Sequence, residues 1–274
     1  MKYNDICEIL MDNGIENAAL EAKLLIEYFC GVSPSRIHSQ PDADYDSPKL
    51  FDAIDRRCEK YPLQYIIGEW YFYGERYKIN ENCLIPRSDT EMLVEYAIKN
   101  LPKNAHFADL CTGSGCIAIS TLVHRPDTSC TAVDVFEATV DVARENARIN
   151  GISDDGKRIS FTLCDLLLPN PLGDENFDAI ISNPPYIRSS VVDTLDKELF
   201  SEPRAALDGG HDGLDFYRSI ILNFKDRIRK GGFFLFEIGF DQREDIISIA
   251  ASHGLGCEVK NDLSGNPRMA IIKI

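Results

Sequence analysis

The residues Asn183-Pro184-Pro185-Tyr186 follow a short apolar run, Phe177 to Ser182, that predicts a buried strand. Asn183 offers a side-chain carbonyl and Pro184 a backbone carbonyl, so together they can accept both N–H bonds of a planar amide or aromatic amine. These contacts would aim the nitrogen lone pair and stabilise the positive charge that develops when the nitrogen is alkylated. The prolines remove N–H donors and keep the loop rigid, and Tyr186 can lie flat against a planar acceptor. The simpler interpretation is that Pro-Pro ends the strand.

A second candidate site is the segment from Asp109 to Ala118, which predicts a strand, a loop of small residues and the start of a helix. Gly113 and Gly115 allow a tight turn and a close approach of the backbone to a ligand. Asp134 follows about 20 residues later, where an acidic side chain can accept the ribose hydroxyls of an adenosine. The same spacing also fits a dinucleotide site, or a tight turn that binds no ligand.

Asp109 helps to distinguish between two possible adenosine-containing cofactors, S-adenosylmethionine and NAD. Its carboxylate stands at the end of the first strand, where it would repel a pyrophosphate and attract a cation. S-adenosylmethionine has no phosphate and carries a sulfonium and an ammonium group. The sequence therefore favours S-adenosyl-L-methionine over NAD.

Alternating strands and helices must position these loops. From residue 105 onward short apolar runs alternate with amphipathic stretches such as Val140 to Asn150, which Gly151 ends. This alternation predicts a doubly wound α/β fold, in which helices cover both faces of a mostly parallel, Rossmann-like sheet. The predicted strands are Phe107 to Cys111, Thr131 to Val135, Ile159 to Leu163, Phe177 to Ser182, Phe233 to Ile238 and Arg268 to Ile274.

The first part of the chain has a different pattern. Residues 1–70 predict a small helical domain, in which Gly31 ends one helix and Ser47-Pro48 begins another that ends before Pro62. Residues 71–83 are aromatic and predict a hairpin linker around Gly74. The catalytic domain is expected to span residues 84–274. The helical domain has 7 Lys/Arg and 13 Asp/Glu, a net charge of −6, and is a candidate for docking a substrate protein.

Composition narrows the class of partner. The chain has 274 residues, a formal net charge of −15 and a pI of about 4.8. A duplex-binding protein usually has a basic surface, so we expect no direct nucleic-acid partner. Nine cysteines without a CxxC pair, and five scattered histidines, predict neither a disulfide framework nor a metal site. No apolar run is long enough to span a membrane, so we expect a cytoplasmic protein, and a monomer.

Several further segments carry a resemblance to a known family. They are Leu84 to Glu91, Glu202 to Leu214, Phe236 to Gly239, and Asp262-Leu263 with Arg268, in addition to the glycine loop and Asn183 to Tyr186. Together they resemble the peptide chain release factor glutamine methyltransferases (the HemK/PrmC family), which are class I S-adenosylmethionine-dependent methyltransferases. The match runs from about Pro62 to the end. The residues before it resemble the family in their predicted helices more than in their amino-acid sequence.

The resemblance implies a helical N-terminal bundle, a hairpin linker and a seven-stranded catalytic sheet. It also implies methylation of the glutamine in the Gly-Gly-Gln loop of release factors, with S-adenosyl-L-homocysteine as the second product. The catalytic residues are then Asn183, Pro184 and Tyr186, and the substrate-binding residues are Asn183, Pro184, Pro185 and Tyr186. The expected cofactor-binding residues are Asp109, Cys111, Thr112, Gly113, Ser114, Gly115, Asp134, Asp165, Leu166 and Asn183.

One residue departs from the family pattern, and four rival classes of protein stay open. Leu166 stands where many relatives have an aromatic residue beside the adenine, so adenine packing there is expected to be looser. A sister family methylates a ribosomal-protein glutamine, but lacks the run that Pro86 to Glu91 forms in this chain. A DNA or RNA adenine amino-methyltransferase would need a basic surface. The other two rival classes are an NAD-dependent oxidoreductase and a non-catalytic interaction module.

Overall fold

The computed structural model describes residues 1–40 and 42–274. Their contacts divide the chain into two compact units. The first contains residues 1–69 together with the short segment 196–201, and the second contains residues 70–195 and 202–274. The domain boundaries 1–70, 71–83 and 84–274 stay a prediction.

The first unit is built from helices around its own apolar core. Gly31 ends α2 in the left-handed conformation, with φ of 66°, and Ser47-Pro48 begins α4 without a side-chain cap. Buried Arg57 on α4 pairs with Glu21, at 2.5 Å between Nε and Oε2, and with Glu198 of the segment 196–201. The helices are α1 (Tyr3–Asp12), α2 (Ala18–Cys30), α3 (Pro34–Ser39), α4 (Pro48–Cys58) and α5 (Leu63–Ile67).

The predicted hairpin around Gly74 is confirmed. Strands β1 (Glu69–Phe72) and β2 (Glu75–Lys78) form a two-stranded sheet, and Gly74 lies in the turn with φ of 93°. Tyr77 of β2 is fully buried and its hydroxyl is 2.7 Å from Ser120 Oγ.

The second unit contains a seven-stranded sheet, which confirms the predicted α/β class. Its strand order is β5-β4-β3-β6-β7-β9-β8. The first five strands in this order are parallel, and β9 is antiparallel to both β7 and β8. The strands are β3 (His106–Leu110), β4 (Ser129–Asp134), β5 (Ile159–Leu163), β6 (Phe177–Ser182), β7 (Ile228–Glu237), β8 (Cys257–Asn261) and β9 (Pro267–Lys273).

Helices accompany the sheet along the chain, and a 3-10 turn at Ser88–Thr90 leads into the first of them. Thr90 precedes this helix as its N-cap residue and makes no side-chain capping hydrogen bond, and Glu91 stands in the first turn. Glu91 accepts a hydrogen bond of 2.9 Å from the Tyr73 backbone N–H. The helices are α6 (Glu91–Asn100), α7 (Cys116–His124), α8 (Glu137–Ile149), α9 (Ser189–Val192), α10 (Asp215–Phe224) and α11 (Arg243–Ser252).

The predicted strands are all present, with shifts at their ends. The predicted strand from Phe233 begins five residues earlier, as Ile228–Glu237, and the predicted helix from Val140 begins at Glu137. Strand β8 was not predicted from the residues, because its half-exposed side chains lack a continuous apolar run.

The residues that the structure describes contain neither a candidate membrane span nor a candidate metal cluster. No helix among them is long and apolar enough to cross a membrane. Within the same residues, no group of three His, Cys, Asp or Glu side chains is placed to hold a metal ion.

Candidate active site

Three loops meet at one edge of the sheet. Strand β3 pairs in parallel with β4 on one side and with β6 on the other, so the loops that follow them leave at the same edge. The chain order also reverses at this point, since β4 and β5 extend the sheet to one side of β3 and β6 and β7 to the other. Open α/β sheets bind ligands at such a switch point.

The glycine loop after β3 turns through left-handed backbone conformations, which glycine adopts without steric cost. Cys111, Gly113 and Gly115 have φ of 59°, 56° and 81°, all in the left-handed region. A Cβ on Gly115 would lie 2.8 Å from Ile119 Cδ1 and 3.2 Å from Ala143 Cβ, so this position faces packed side chains. A Cβ on Gly113 would meet nothing within 4 Å. Gly115 therefore serves packing, and Gly113 leaves space at the front of the loop.

Asp134 connects the second strand to the glycine loop. Its Oδ2 accepts a hydrogen bond of 3.0 Å from the Gly113 N–H, and its Oδ1 accepts one of 2.8 Å from Val135. Burial raises the pKa of Asp134, while these backbone donors act in the opposite direction. A carboxylate has about four lone-pair positions, so the group can accept further hydrogen bonds from a ligand.

Asp109 lies behind the loop and outside the cavity lining. It is fully buried, and its Oδ2 accepts hydrogen bonds from Thr112 Oγ1 at 2.6 Å and from the Ala118 N–H at 3.1 Å. Its Oδ1 has no hydrogen-bond partner among the described residues. The immediate role of this carboxylate is to fasten the glycine loop to the start of α7. Its assignment as a cofactor-binding residue stays a prediction.

The Asn183 loop follows β6 and is fixed at its base. Ser182 donates a hydrogen bond of 2.5 Å from Oγ to the Leu110 carbonyl, which ties β6 to β3. Asn183 is half-buried, and its Nδ2 donates a hydrogen bond of 3.2 Å to Thr90 Oγ1. Pro184 is buried, and no described residue donates a hydrogen bond to its carbonyl.

Tyr186 turns away from the cavity lining. Its hydroxyl donates a hydrogen bond of 3.3 Å to Oε1 of Glu237, which is buried at the end of β7. Burial raises the pKa of Tyr186, and the negative charge of Glu237 adds to this effect. The expected stacking of Tyr186 on an acceptor stays a prediction.

A glutamine that sequence reasoning missed holds this loop in place. Gln242 donates hydrogen bonds from Nε2 to the carbonyls of Tyr186, at 3.0 Å, and Gly213, at 3.1 Å. Its Oε1 accepts a hydrogen bond of 2.9 Å from the Gly239 N–H. A Cβ on Gly213 would lie 2.4 Å from the Tyr186 carbonyl oxygen, so the two loops are in direct contact. No local pattern marks Gln242, because its partners are distant in sequence.

A cavity of about 280 Å³ lies among these loops, near the lower end of the range for small-molecule sites. The predicted residues that line it are Cys111, Thr112, Gly113, Ser114, Asp134, Asp165, Leu166, Asn183 and Pro185. Four predicted residues lie outside the lining: Asp109, Gly115, Pro184 and Tyr186. Lining residues outside the predicted cofactor-binding and substrate-binding sets include Asn82, Cys83, Leu84, Pro86, Arg87, Thr90, Cys116, Val135, Phe136, Thr139, Leu167, Pro203, Ala205, Ala206 and Phe216.

The segment that begins at Glu202 forms one wall of the cavity and contacts the residues just before α6. Glu202, which is buried, forms an ion pair with Arg87 and accepts a hydrogen bond of 3.0 Å from the Ile85 N–H. Pro203 and Ala205 follow Glu202 and line the cavity. This contact explains why the two segments, far apart in sequence, share the site.

Fold and site together define a class I methyltransferase. The residues 88–212 match the family model of the methyltransferase small domain, and residues 3–68 match that of the PrmC N-terminal domain. A solved methyltransferase structure from Pyrococcus furiosus has a similar fold, with a TM-score of 0.55 at 17% identity. That similarity covers 73% of this chain and 89% of the other.

Similar proteins specify the family further. The chain is 35% identical to a release factor glutamine methyltransferase of Geobacter sulfurreducens, over 95% of this chain and 91% of the relative. It is 37% identical to the release factor glutamine methyltransferase of Neisseria gonorrhoeae, over 93% of each. The chain therefore belongs to the family of release factor glutamine methyltransferases.

The burial of Asp109 predicts a measurable pH dependence of stability. Burial raises the pKa of Asp109 from 3.8 to about 7, so folding opposes its ionisation and the wild type loses stability as pH rises from about 4 through 7. The difference in unfolding free energy between Asp109→Asn and the wild type should therefore shift in favour of the variant as pH rises over this interval. We expect a shift of about 2 to 4 kcal/mol, since one pKa unit corresponds to about 1.4 kcal/mol. Urea unfolding at several pH values measures this difference.

The control is Asp127→Asn. Hydrogen bonds from Arg125 lower the pKa of Asp127, so the group is ionised in both the folded and the unfolded state above about pH 5, and the stability difference of this variant should stay constant from there to pH 7. A constant difference for Asp109→Asn as well would contradict the first expectation.

The contact between Gly213 and Tyr186 predicts a costly substitution. Gly213→Ala places a methyl group 2.4 Å from a carbonyl oxygen at φ of 78°, and we expect it to lower the free energy of unfolding by about 2 kcal/mol or more. Gly231→Ala is the matched control, because Gly231 has φ of 87° but open space around its Cβ position. Chemical denaturation of both variants separates steric overlap from backbone strain. Equal losses would show that the overlap costs nothing.

Proposed function

We propose that this protein transfers a methyl group from S-adenosyl-L-methionine to the side-chain amide nitrogen of a glutamine, the one in the Gly-Gly-Gln motif of peptide chain release factors. One observation carries the proposal. Asn183, the glycine loop and Asp134 line the same cavity, so an acceptor amide beside Asn183 and an adenosine beside Asp134 would share one enclosed space. The names of the relatives support the choice of substrate.

The residues of the cavity fit the cofactor. Gly113 has open space at its Cβ position, so the backbone of the loop is accessible to a ligand. Asp134 has spare acceptor capacity for ribose hydroxyls, and Asp165 and Leu166 line the adjoining wall. S-adenosylmethionine, when bound, supplies an electrophilic methyl group on a sulfonium, and S-adenosylhomocysteine is the product. The cavity lining also contains Val135, Phe136 and Leu167, which can cover an adenine where Leu166 offers no ring.

The acceptor end of the cavity fits a primary amide. An amide nitrogen is a poor nucleophile because its lone pair is delocalised, so its orientation has to be fixed. The Asn183 side-chain carbonyl and the Pro184 backbone carbonyl can accept its two N–H bonds and stabilise the positive charge that develops on nitrogen. No described residue donates a hydrogen bond to the Pro184 carbonyl, which supports this role. No general base is required, since the proton can leave after the methyl group arrives.

The remaining assignments follow from this function. We infer that the helical domain, residues 1–70, docks the substrate protein, that residues 71–83 form the linker, and that residues 84–274 carry the reaction. The net charge of −15 fits a protein partner and disfavours direct contact with nucleic acid. A release factor is a cytoplasmic protein, so the enzyme would act in the cytoplasm. That it acts as a monomer stays an expectation from the sequence.

The decisive experiment is mass spectrometry of a release factor incubated with this protein and isotope-labelled S-adenosylmethionine. We expect one labelled methyl group on the glutamine of its Gly-Gly-Gln motif. Parallel reactions contain a ribosomal protein extract or oligonucleotides. Label in either of these reactions, and none in the release factor, would show that the substrate is a ribosomal protein or a nucleic acid instead.

The role of Asn183 can be measured separately from substrate identity. Asn183→Ala should reduce methyl transfer about a hundredfold or more, because one acceptor that acts in the transition state is typically worth that much. The dissociation constant of S-adenosylhomocysteine should change little. Asn100→Ala, an exposed asparagine on α6, is the control and should retain full turnover. Unchanged turnover in Asn183→Ala would remove Asn183 from the mechanism.

The role of Asp134 is tested by binding. Asp134→Ala should raise the dissociation constant of S-adenosylmethionine at least tenfold, since two hydrogen bonds to the ribose are lost. Asp141→Ala on α8 is the control, because its side chain is 66% exposed. Isothermal calorimetry measures both variants, and a wild-type dissociation constant for Asp134→Ala would refute the assignment.

A further inference from the structure

A chain of buried polar groups runs from the end of β7 to the cavity. Glu237 Oε2 accepts a hydrogen bond of 2.5 Å from Thr90 Oγ1, and Thr90 Oγ1 accepts one of 3.2 Å from Asn183 Nδ2. Thr90 and Glu237 are each 2% exposed, while Asn183 is half-buried and lines the cavity. The proposed methyl transfer uses the carbonyls of Asn183 and Pro184 and gives no role to Thr90 or Glu237, although both are buried beside Asn183.

The state of the Glu237 carboxyl decides the direction of these bonds. Two hydroxyl groups face it, Thr90 at Oε2 and Tyr186 at Oε1. An ionised carboxylate only accepts hydrogen bonds, so two O–H donors, one on each oxygen, match the ionised form. Burial raises the pKa of Glu237, but the Thr90 hydrogen bond and the positive charge of Arg268 act against it, whereas Asp89 adds to the increase.

The single proton of Thr90 then fixes the orientation of the neighbouring amide. A threonine hydroxyl has one hydrogen, and here Glu237 receives it. Thr90 therefore offers only lone pairs to Asn183, which an NH₂ group satisfies and a carbonyl would not. The Nδ2 end of Asn183 faces Thr90, and no described residue donates to its Oδ1.

We propose that Thr90, held by Glu237, is a positioning residue that fixes the side-chain amide of Asn183 so that Oδ1 is the atom presented to the acceptor nitrogen. The inference rests on the proposed role of Asn183. Without this contact the two ends of the amide have similar shapes and could exchange. A reversed amide would present N–H donors to the N–H bonds of the substrate, and the acceptor would not be held.

Two substitutions of Thr90 separate the hydroxyl from the side-chain volume. Thr90→Val keeps the shape and removes the acceptor, and we expect kcat to decrease about tenfold or more, the value of one hydrogen bond to a buried polar group. Thr90→Ser keeps the hydroxyl and should retain kcat within about threefold. The dissociation constant of S-adenosylhomocysteine should stay within about twofold for both, which also reports that the site is folded. Turnover is measured with a release factor and labelled S-adenosylmethionine.

A double-mutant cycle tests whether Thr90 acts through Asn183. In the Asn183→Ala background, under single-turnover conditions, Thr90→Val should reduce the rate by less than about twofold, because no amide remains to be oriented. A residue with a merely structural role would cause the same tenfold loss in both backgrounds. If Thr90→Val does not fold, Thr90→Ala replaces it in the cycle.

Three results would overturn the proposal: wild-type kcat in Thr90→Val, an equally large loss in Thr90→Ser, or additive losses in the cycle. Failure of the underlying mechanism looks different. It would leave Asn183→Ala fully active, whereas failure of the positioning role leaves the large loss in Asn183→Ala in place and Thr90→Val unaffected.

Discussion

The parallel pairing of β3 with β4 on one side and β6 on the other is the constraint on which the site depends. It places the glycine loop, Asp134 and Asn183 at one edge of the sheet, although the three are spread over more than seventy residues of sequence. Two short contacts keep these loops in register. Asp134 accepts a hydrogen bond from Gly113, and Ser182 donates one to Leu110. A ligand therefore meets loops that the fold has already ordered.

The acceptor loop illustrates how a rigid site can leave one carbonyl without an internal partner. Backbone carbonyls in a protein interior are normally hydrogen-bonded. Around the Asn183 loop, Gln242 satisfies the Tyr186 carbonyl, and Gly209 and Gly213 allow the neighbouring loop to pack against the backbone. The Pro184 carbonyl receives no donor from a described residue. Preorganisation of this kind avoids reorganisation during the reaction, when the positive charge develops.

The sequence predicted those features that depend on local pattern. Apolar runs located the parallel strands, and the carboxyl ends of β3, β4 and β6 located the cavity. Thr90 and Glu237 lie in segments that carry the family resemblance, but their contact with each other could not be predicted, because the two residues are distant in sequence. The contacts of Gln242 were missed for the same reason. Asp109 is a second example of what local pattern does not predict. Its position at the end of a strand was predicted, but whether its side chain faces the cavity or the interior depends on packing.

The boundary between the two compact units does not coincide with a single point in the sequence. Residues 196–201 belong to the helical unit, where Glu198 pairs with Arg57, while Leu195 and Glu202 on either side belong to the other unit. Each unit is therefore built from two separate stretches of sequence. A single cleavage near residue 69 therefore does not separate the two units, because residues 196–201 of the helical unit stay on the larger fragment.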